Sequence, residues 1–221
     1  MRISRLTLAL ALGASLSGCG YNQIQALDER ANEAKSNIGV ELTNRNQLIP
    51  NLVATVKGAA NFESSTYTGI ARERSGSGQQ GAAPAAPAGA PAAQVQQAQA
   101  QLQQAQQQVQ NAVKTGNPGQ MAAADAAVTR QIGTYINVAV EAYPQLRATQ
   151  NFTALQDQLA ESENRISVAR RDYNTAVREY NTYIRTFPQA ITARVTGAQR
   201  KEPYEAPAGS EAAPNVDFSK P

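Results

Sequence analysis

Histidine and tryptophan are missing from this 221-residue chain, and cysteine occurs once. Without histidine there is no His-based triad, no Cys–His nucleophile and no ordinary Cys/His zinc site. A lone cysteine closes no intramolecular disulfide, so the fold has to hold by packing. A carboxylate-only or Ser–Lys hydrolase is the enzyme class this inventory leaves open. The expectation is no catalytic residue, no metal and no cofactor.

Charge of either sign is also in short supply, at 17% of residues, with 20 basic against 17 acidic. Arg2 and Arg5 lie in the first few positions, and without them 18 basic residues face 17 acidic ones, a net of +1. A nucleic-acid footprint needs cations concentrated on one face or stripe, so nucleic acid is not an expected partner. Long apolar runs are absent as well. The apolar stretch Leu6 to Leu12 is far shorter than the roughly 20 residues that span a hydrocarbon core.

That stretch does have the parts of a secretory signal: Arg2 and Arg5, the apolar run, then the small residues Ala14, Ser15, Ser17 and Gly18. Leu16-Ser17-Gly18-Cys19 is similar to the bacterial lipobox, whose cysteine thiol receives a diacylglyceryl group and becomes the first mature residue. Lipidation of Cys19 is preferred over a spanning anchor or an ordinary signal with a chance cysteine. Each buried CH₂ of an acyl chain contributes about 0.8 kcal/mol, so a multiply acylated cysteine holds firmly. The expected location is the periplasmic or cell-surface side of a membrane. Gly20 is not the aspartate that marks inner-membrane retention, so an outer-membrane destination is open in a host that has one.

Behind the signal (1–18), apolar residues recur at alternating spacings of three and four. Ile24, Leu27, Ala31, Ala34, Ile38 and Leu42 form one seam, and Leu52, Val53, Val56, Ala60, Tyr67 and Ile70 a second. Pro50 falls between them. Since an interior proline removes a hydrogen bond and crowds the preceding turn, two helices joined near Asn44 to Pro50 are preferred over one kinked helix within segment 19–74. Residues 75–93 are Gly, Ser, Ala and Pro with almost nothing to bury, which predicts a flexible linker. In the Gln/Ala-rich insertion 94–119, Val95, Ala98, Leu102, Ala105, Val109 and Ala112 again fall on a seam. It reads either as a polar low-complexity tract or as a helix that packs or self-associates.

Gly116-Asn117-Pro118-Gly119 breaks that pattern, and segment 120–187 predicts two further helices. Met121, Ala124, Val128, Ile132, Tyr135, Ala139 and Ala142 carry the first, which Pro144 closes. Phe152, Leu155, Leu159, Ile166, Ala169, Tyr173, Ala176, Tyr180, Ile184 and Phe187 carry the second, with Ser162 in its one polar gap. Thr149 or Asn151 can cap its start and Pro188 its end. Residues 188–221 predict a mostly disordered tail. The fold class is all-α, an antiparallel up-and-down four-helix bundle with long helices plus a disordered insertion and tail.

Three blocks carry a resemblance. They are Asn44-Arg45-Asn46-Gln47-Leu48-Ile49-Pro50-Asn51-Leu52-Val53 with Thr55-Val56-Lys57-Gly58; Glu141-Ala142-Tyr143-Pro144 with Leu146, Asn151-Phe152 and Leu155-Gln156; and Glu161 to Pro188, especially Glu163-Asn164-Arg165-Ile166, Ala169 to Asn174 and Tyr180-Asn181. Pro203-Tyr204 and Val216-Asp217-Phe218 extend it. Together they resemble the LemA family of bacterial envelope proteins, which implies an all-helical antiparallel bundle and much less about activity, since the family has no established catalytic site. The lipobox and the long insertion depart from the family's pattern.

The polar residues beside the seams have two readings. One is solvated i,i+4 pairs, each worth about 0.2–0.5 kcal/mol. The other is an interaction surface that draws Asn164, Arg165, Asp172 and Asn174 together with Asn44, Arg45 and Asn51. The functional expectation is a membrane-anchored scaffold or interaction module with an envelope protein as partner. A homo-oligomeric assembly module zipped by the Gln/Ala seam ranks second, and a carboxylate or Ser–Lys envelope hydrolase a distant third.

Overall fold

A computed structural model describes residues 2–76 and 90–205, without the side chains of residues 2–19, 67, 71, 74–76, 90 and 91. The Cys19 side chain, most of the linker and the tail beyond Glu205 therefore lie outside the described residues. What is described is all-helical: α1 (Arg2–Gly76), α2 (Ala90–Thr115), α3 (Pro118–Ala142), a 3-10 turn (Pro144–Ala148), α4 (Gln150–Tyr183) and α5 (Gln189–Thr196). No strand occurs among these residues, and none of the helices is long and apolar enough to cross a membrane.

Helix α1 passes through Pro50 without interruption, which corrects the preferred two-helix reading. The reason lies on another helix. Pro50 has no N–H to give the carbonyl of Asn46 one turn back. That carbonyl instead accepts the Gln106 side-chain amide of α2 at 3.2 Å, and the Asn46 amide returns a bond to the Gln106 carbonyl oxygen at 3.2 Å. The orphaned acceptor is satisfied, and the ring of Pro50 faces solvent. A glutamine in what reads as a low-complexity tract thus repairs a proline 56 positions away.

The Gln/Ala tract is α2, and its seam is spent inside the chain: Val95, Ala98, Leu102, Ala105, Val109 and Ala112 are all buried, mainly against α3. Leu102, fully buried, contributes about 1.5–3 kcal/mol, and the alanines let the two helices approach closely. The α2–α3 turn follows from its residues. Gly116 sits at φ +65°, a left-handed conformation that costs a residue with a Cβ. Asn117 then caps α3 by accepting the Gln120 N–H at 2.9 Å, with Pro118 at the first helical position.

Helices α1 and α4 form the other main contact and run antiparallel, since Arg30 meets Glu179 and Arg45 meets Glu163. The α4 seam is buried from Phe152 to Ile184, with the Ser162 hydroxyl returned to the Leu159 carbonyl at 2.8 Å. Phe187 is 79% exposed. Helix α4 ends at Tyr183 and the chain turns before Phe187, so the heptad register no longer applies there. Thr149 occupies the N-cap without a side-chain cap bond.

The predicted disordered tail is corrected as far as Glu205. Helix α5 packs Ala193 into a small cluster with Ile24, Tyr180 and Ile184, and stops at Gly197, φ +71°. Residues 201–205 then lie without regular secondary structure, with Tyr204 buried in the main core.

Candidate functional site

Four charged side chains from three helices meet in the core. Asp125 on α3 is 1% exposed and accepts from three donors: Arg45 Nη2 at 2.6 Å, Arg170 Nη2, and the Tyr204 hydroxyl at 2.9 Å. Arg45, itself 2% exposed, turns its Nη1 to Glu163 at 2.7 Å and to the Thr129 hydroxyl at 3.0 Å. Arg170 also approaches Glu163 at 3.6 Å and lies over the Tyr204 ring at 5.4 Å from its centroid. Two cations and two anions cancel. Burial pushes the Arg45 guanidinium below its ordinary value while Glu163 opposes that shift, and arginine keeps its proton.

This cluster is built to fix register. Sliding α1 by one turn moves the guanidinium about 5.4 Å, away from both carboxylates, and strands charges whose desolvation is worth several kcal/mol per ion. The carboxylates and the guanidinium Nη atoms engage one another, while Arg45 Nε and Arg170 Nε are buried without a hydrogen-bond partner among the described residues. Among the described residues no three or more His, Cys, Asp or Glu side chains are grouped to hold a metal ion.

A second feature fastens the C-terminal segment. Asn174 donates to the Tyr204 carbonyl at 3.0 Å and accepts the Tyr204 N–H at 2.8 Å. Asn181 makes the same pair with Lys201, at 2.9 Å each way. The asparagines are seven residues apart on α4, a rise of about 10.5 Å. Three residues of extended chain cover about 10 Å. The two spacings match, so each amide holds one backbone unit as a neighbouring strand would. The Tyr173 hydroxyl donates to the Glu202 carbonyl at 2.7 Å, and Lys201 pairs with Asp28 of α1 at 3.0 Å.

The residues expected to form an interaction surface are divided by the structure. Asn164, Arg165 and Asp172, with Asn37 and Glu41, border a shallow depression of about 400 Å³ between α1 and α4. Asn44 and Arg165 border an adjoining one of about 470 Å³. Those four residues share a face. Arg45 is instead in the core, Asn174 is spent on Tyr204, and Asn51 is exposed and borders neither depression. Glu161 and Arg165 form the exposed i,i+4 pair, 3.0 Å apart, of the kind worth only a few tenths of a kcal/mol.

Sequence reasoning missed Asp125 and the role of Tyr204. A signal for Asp125 was present. It is the one acid in a run of small residues, Ala122 to Ala127, and it falls beside Ala124 on the stripe that carries Met121, Val128 and Ile132.

The LemA family profile matches residues 34–218, which includes all four charges of the cluster, both clamping asparagines and Tyr204. The chain belongs to the LemA family. Among curated proteins this LemA chain is 27% identical, over 190 residues, to magnetosome proteins MamQ 1 and MamQ 2 of Paramagnetospirillum magneticum. Those alignments take in 86% of this chain and 66% of each relative, so the chain spans just under two thirds of their length.

The buried tyrosines give the fold an alkaline limit. Tyr135, Tyr173 and Tyr204 are each pushed up to about 12 from the ordinary 10, chiefly by burial. For Tyr204 the nearby Arg170 and Arg45 pull the other way. A pKa raised in the folded state means that the neutral phenol stabilises the fold fully below the unfolded value. Stability should therefore be level up to pH about 10 and fall as the pH climbs through about 12. Melting followed by circular dichroism across that range checks it. A melting temperature that stays level to pH about 12 would show the phenols to be open to water.

Proposed function

We propose that this LemA-family chain is a lipoprotein scaffold of the bacterial envelope, an up-and-down antiparallel bundle of four long helices held to a membrane by lipid on Cys19. It acts by contact rather than by catalysis. The observation that carries this reading is the division of its polar groups. Those with chemical potential, Arg45, Asp125, Glu163 and Arg170, are engaged with one another. The exposed ones, Asn44, Asn164, Arg165 and Asp172, are gathered along the outer α1–α4 groove. That groove is the surface offered to a partner protein of the envelope. Self-assembly through the Gln/Ala seam has less support, since α2 has already spent that seam on α3.

Changing Cys19 to alanine is expected to abolish lipid labelling and move the protein from the membrane to the soluble fraction. Labelling and membrane retention in that variant would end the lipid-anchor reading. Asn164→Cys and Asp172→Cys in the lipidated protein, whose acylated Cys19 leaves no other free thiol, should then crosslink reproducibly to one envelope protein if the groove is the contact surface.

A further inference from the structure

Helix α5 has two faces of opposite kind. Ala193 points inward and is 4% exposed. Ile191 and Val195, two residues to either side of it, project outward at 59% and 83% exposure, and Phe187, in the turn just before α5, is 79% exposed. Elsewhere, Val40, Phe62 and Val168 are large exposed apolar residues scattered over the long helices. Among the described side chains, only at α5 and the turn before it do three fall within nine positions.

We propose that this row is a membrane-docking surface that lays α5 into the headgroup region of an anionic bilayer. The proposal rests on attachment through Cys19. Three observations name the bilayer as the occupant. First, α5 packs against the start of the described α1 side chains: a Cβ placed on Gly20 would sit 3.5 Å from the Thr192 hydroxyl oxygen. The row is therefore beside the residue that follows the anchor, and Tyr21, next in the chain, is 46% exposed. Second, the segment that carries the row is cationic in sequence, although Glu179 of α4 and Asp28, which pairs with Lys201, lie near it. From Tyr180 to Lys201 there are four cations and no acid. Arg185, Arg194 and Arg200 are exposed and make no ion pair among the described residues. Third, an amphipathic segment with apolar and cationic side chains together is the pattern that binds an anionic interface, with its apolar face buried about 5–10 Å into the headgroup–acyl boundary. A protein partner for such a row would have to supply acids as well as an apolar pocket. An anionic bilayer supplies both at the place where the anchor already holds the chain.

The lack of tryptophan makes the test direct, because one introduced indole reports alone among tryptophans. Full-length lipidated Ile191→Trp is reconstituted into phosphatidylglycerol-containing vesicles, with and without brominated acyl chains. Phe62→Trp, about 60 Å away along α1 by helical rise, is the exposed control. The expected result is a blue-shifted emission that brominated lipid quenches for Ile191→Trp but not for Phe62→Trp, with the shift reduced in vesicles of phosphatidylcholine alone. Three results would overturn the proposal. Unshifted, unquenched emission from protein that still floats with the vesicles would place α5 in water and leave the Cys19 anchor standing. A blue shift without quenching would mean that a second copy or another protein covers the row. Protein that fails to float would remove the anchor, and this proposal with it.

Discussion

Asp125→Ala is expected to lower the folding free energy by about 3–5 kcal/mol, the cost of removing one partner from a buried charge pair. Arg45 is 2% exposed and cannot turn to water. With the carboxylate gone, it keeps only Glu163 and Thr129. Arg170 and the Tyr204 hydroxyl lose the same acceptor. Domains of this size are stable by about 5–15 kcal/mol, so the loss should show as a large drop in the urea midpoint with little change in slope. Asp125→Asn, which keeps the shape and one acceptor, should lose less. The double variant Arg45→Met with Asp125→Leu should regain much of the deficit, because a buried pair is often replaced by apolar groups at little cost. Glu163 and Arg170, 41% and 30% exposed, can then turn to water. A deficit below about 1 kcal/mol for Asp125→Ala, the size of an unremarkable substitution, would mean that the cluster is hydrated and does not fix the helices.

Helix content was readable from sequence because its cause is local. A seam at 3-4 spacing buries one stripe of a helix whatever the partner, and this is why Leu102 and Ala105 in a glutamine-rich tract are as buried as Ile166 and Ala169 in a conventional one. Termini marked by Gly116-Asn117-Pro118 were readable for the same reason. What sequence left open was set by partners far along the chain. Pro50 reads as a break until Gln106 supplies the donor it lacks. Asp125, an acid on an apolar stripe, has no partner in the local sequence, and Arg45, which meets it, is 80 residues away. Phe187 continues the arithmetic of the α4 heptads, but the helix has ended before it. Of the residues put forward as a contact surface, those whose placement depended on helix phase alone, such as Asn164 and Asp172, fall on one face. Asn174 does not, because the tail comes back to claim it.

Tyr204→Ala should release that tail while leaving the helices folded. The ring is 6% exposed, lies under Arg170 and reaches Asp125. Truncating a buried aromatic side chain costs about 3–5 kcal/mol. Since the residue follows the last helix, the chain can meet that cost by local opening rather than by global unfolding. The Lys201 and Tyr204 amides, which donate to Asn181 and Asn174, are the reporters. A loss of about 3 kcal/mol speeds their hydrogen exchange roughly a hundredfold when opening is local. Amides in the middle of α2 should change much less. Asn174→Ala removes two hydrogen bonds, worth about 1 kcal/mol each, and should therefore loosen the same amides less than the tyrosine change does. If the Lys201 and Tyr204 amides quicken only in step with those of α2, the segment has no opening of its own and is part of the core unit. If they do not quicken at all, the asparagine pairs suffice to hold the segment and the aromatic anchor is dispensable. The predicted order, tyrosine before asparagine and tail before helix, follows from a segment whose backbone is held at two points but which, among the described residues 201–205, buries only the Tyr204 side chain.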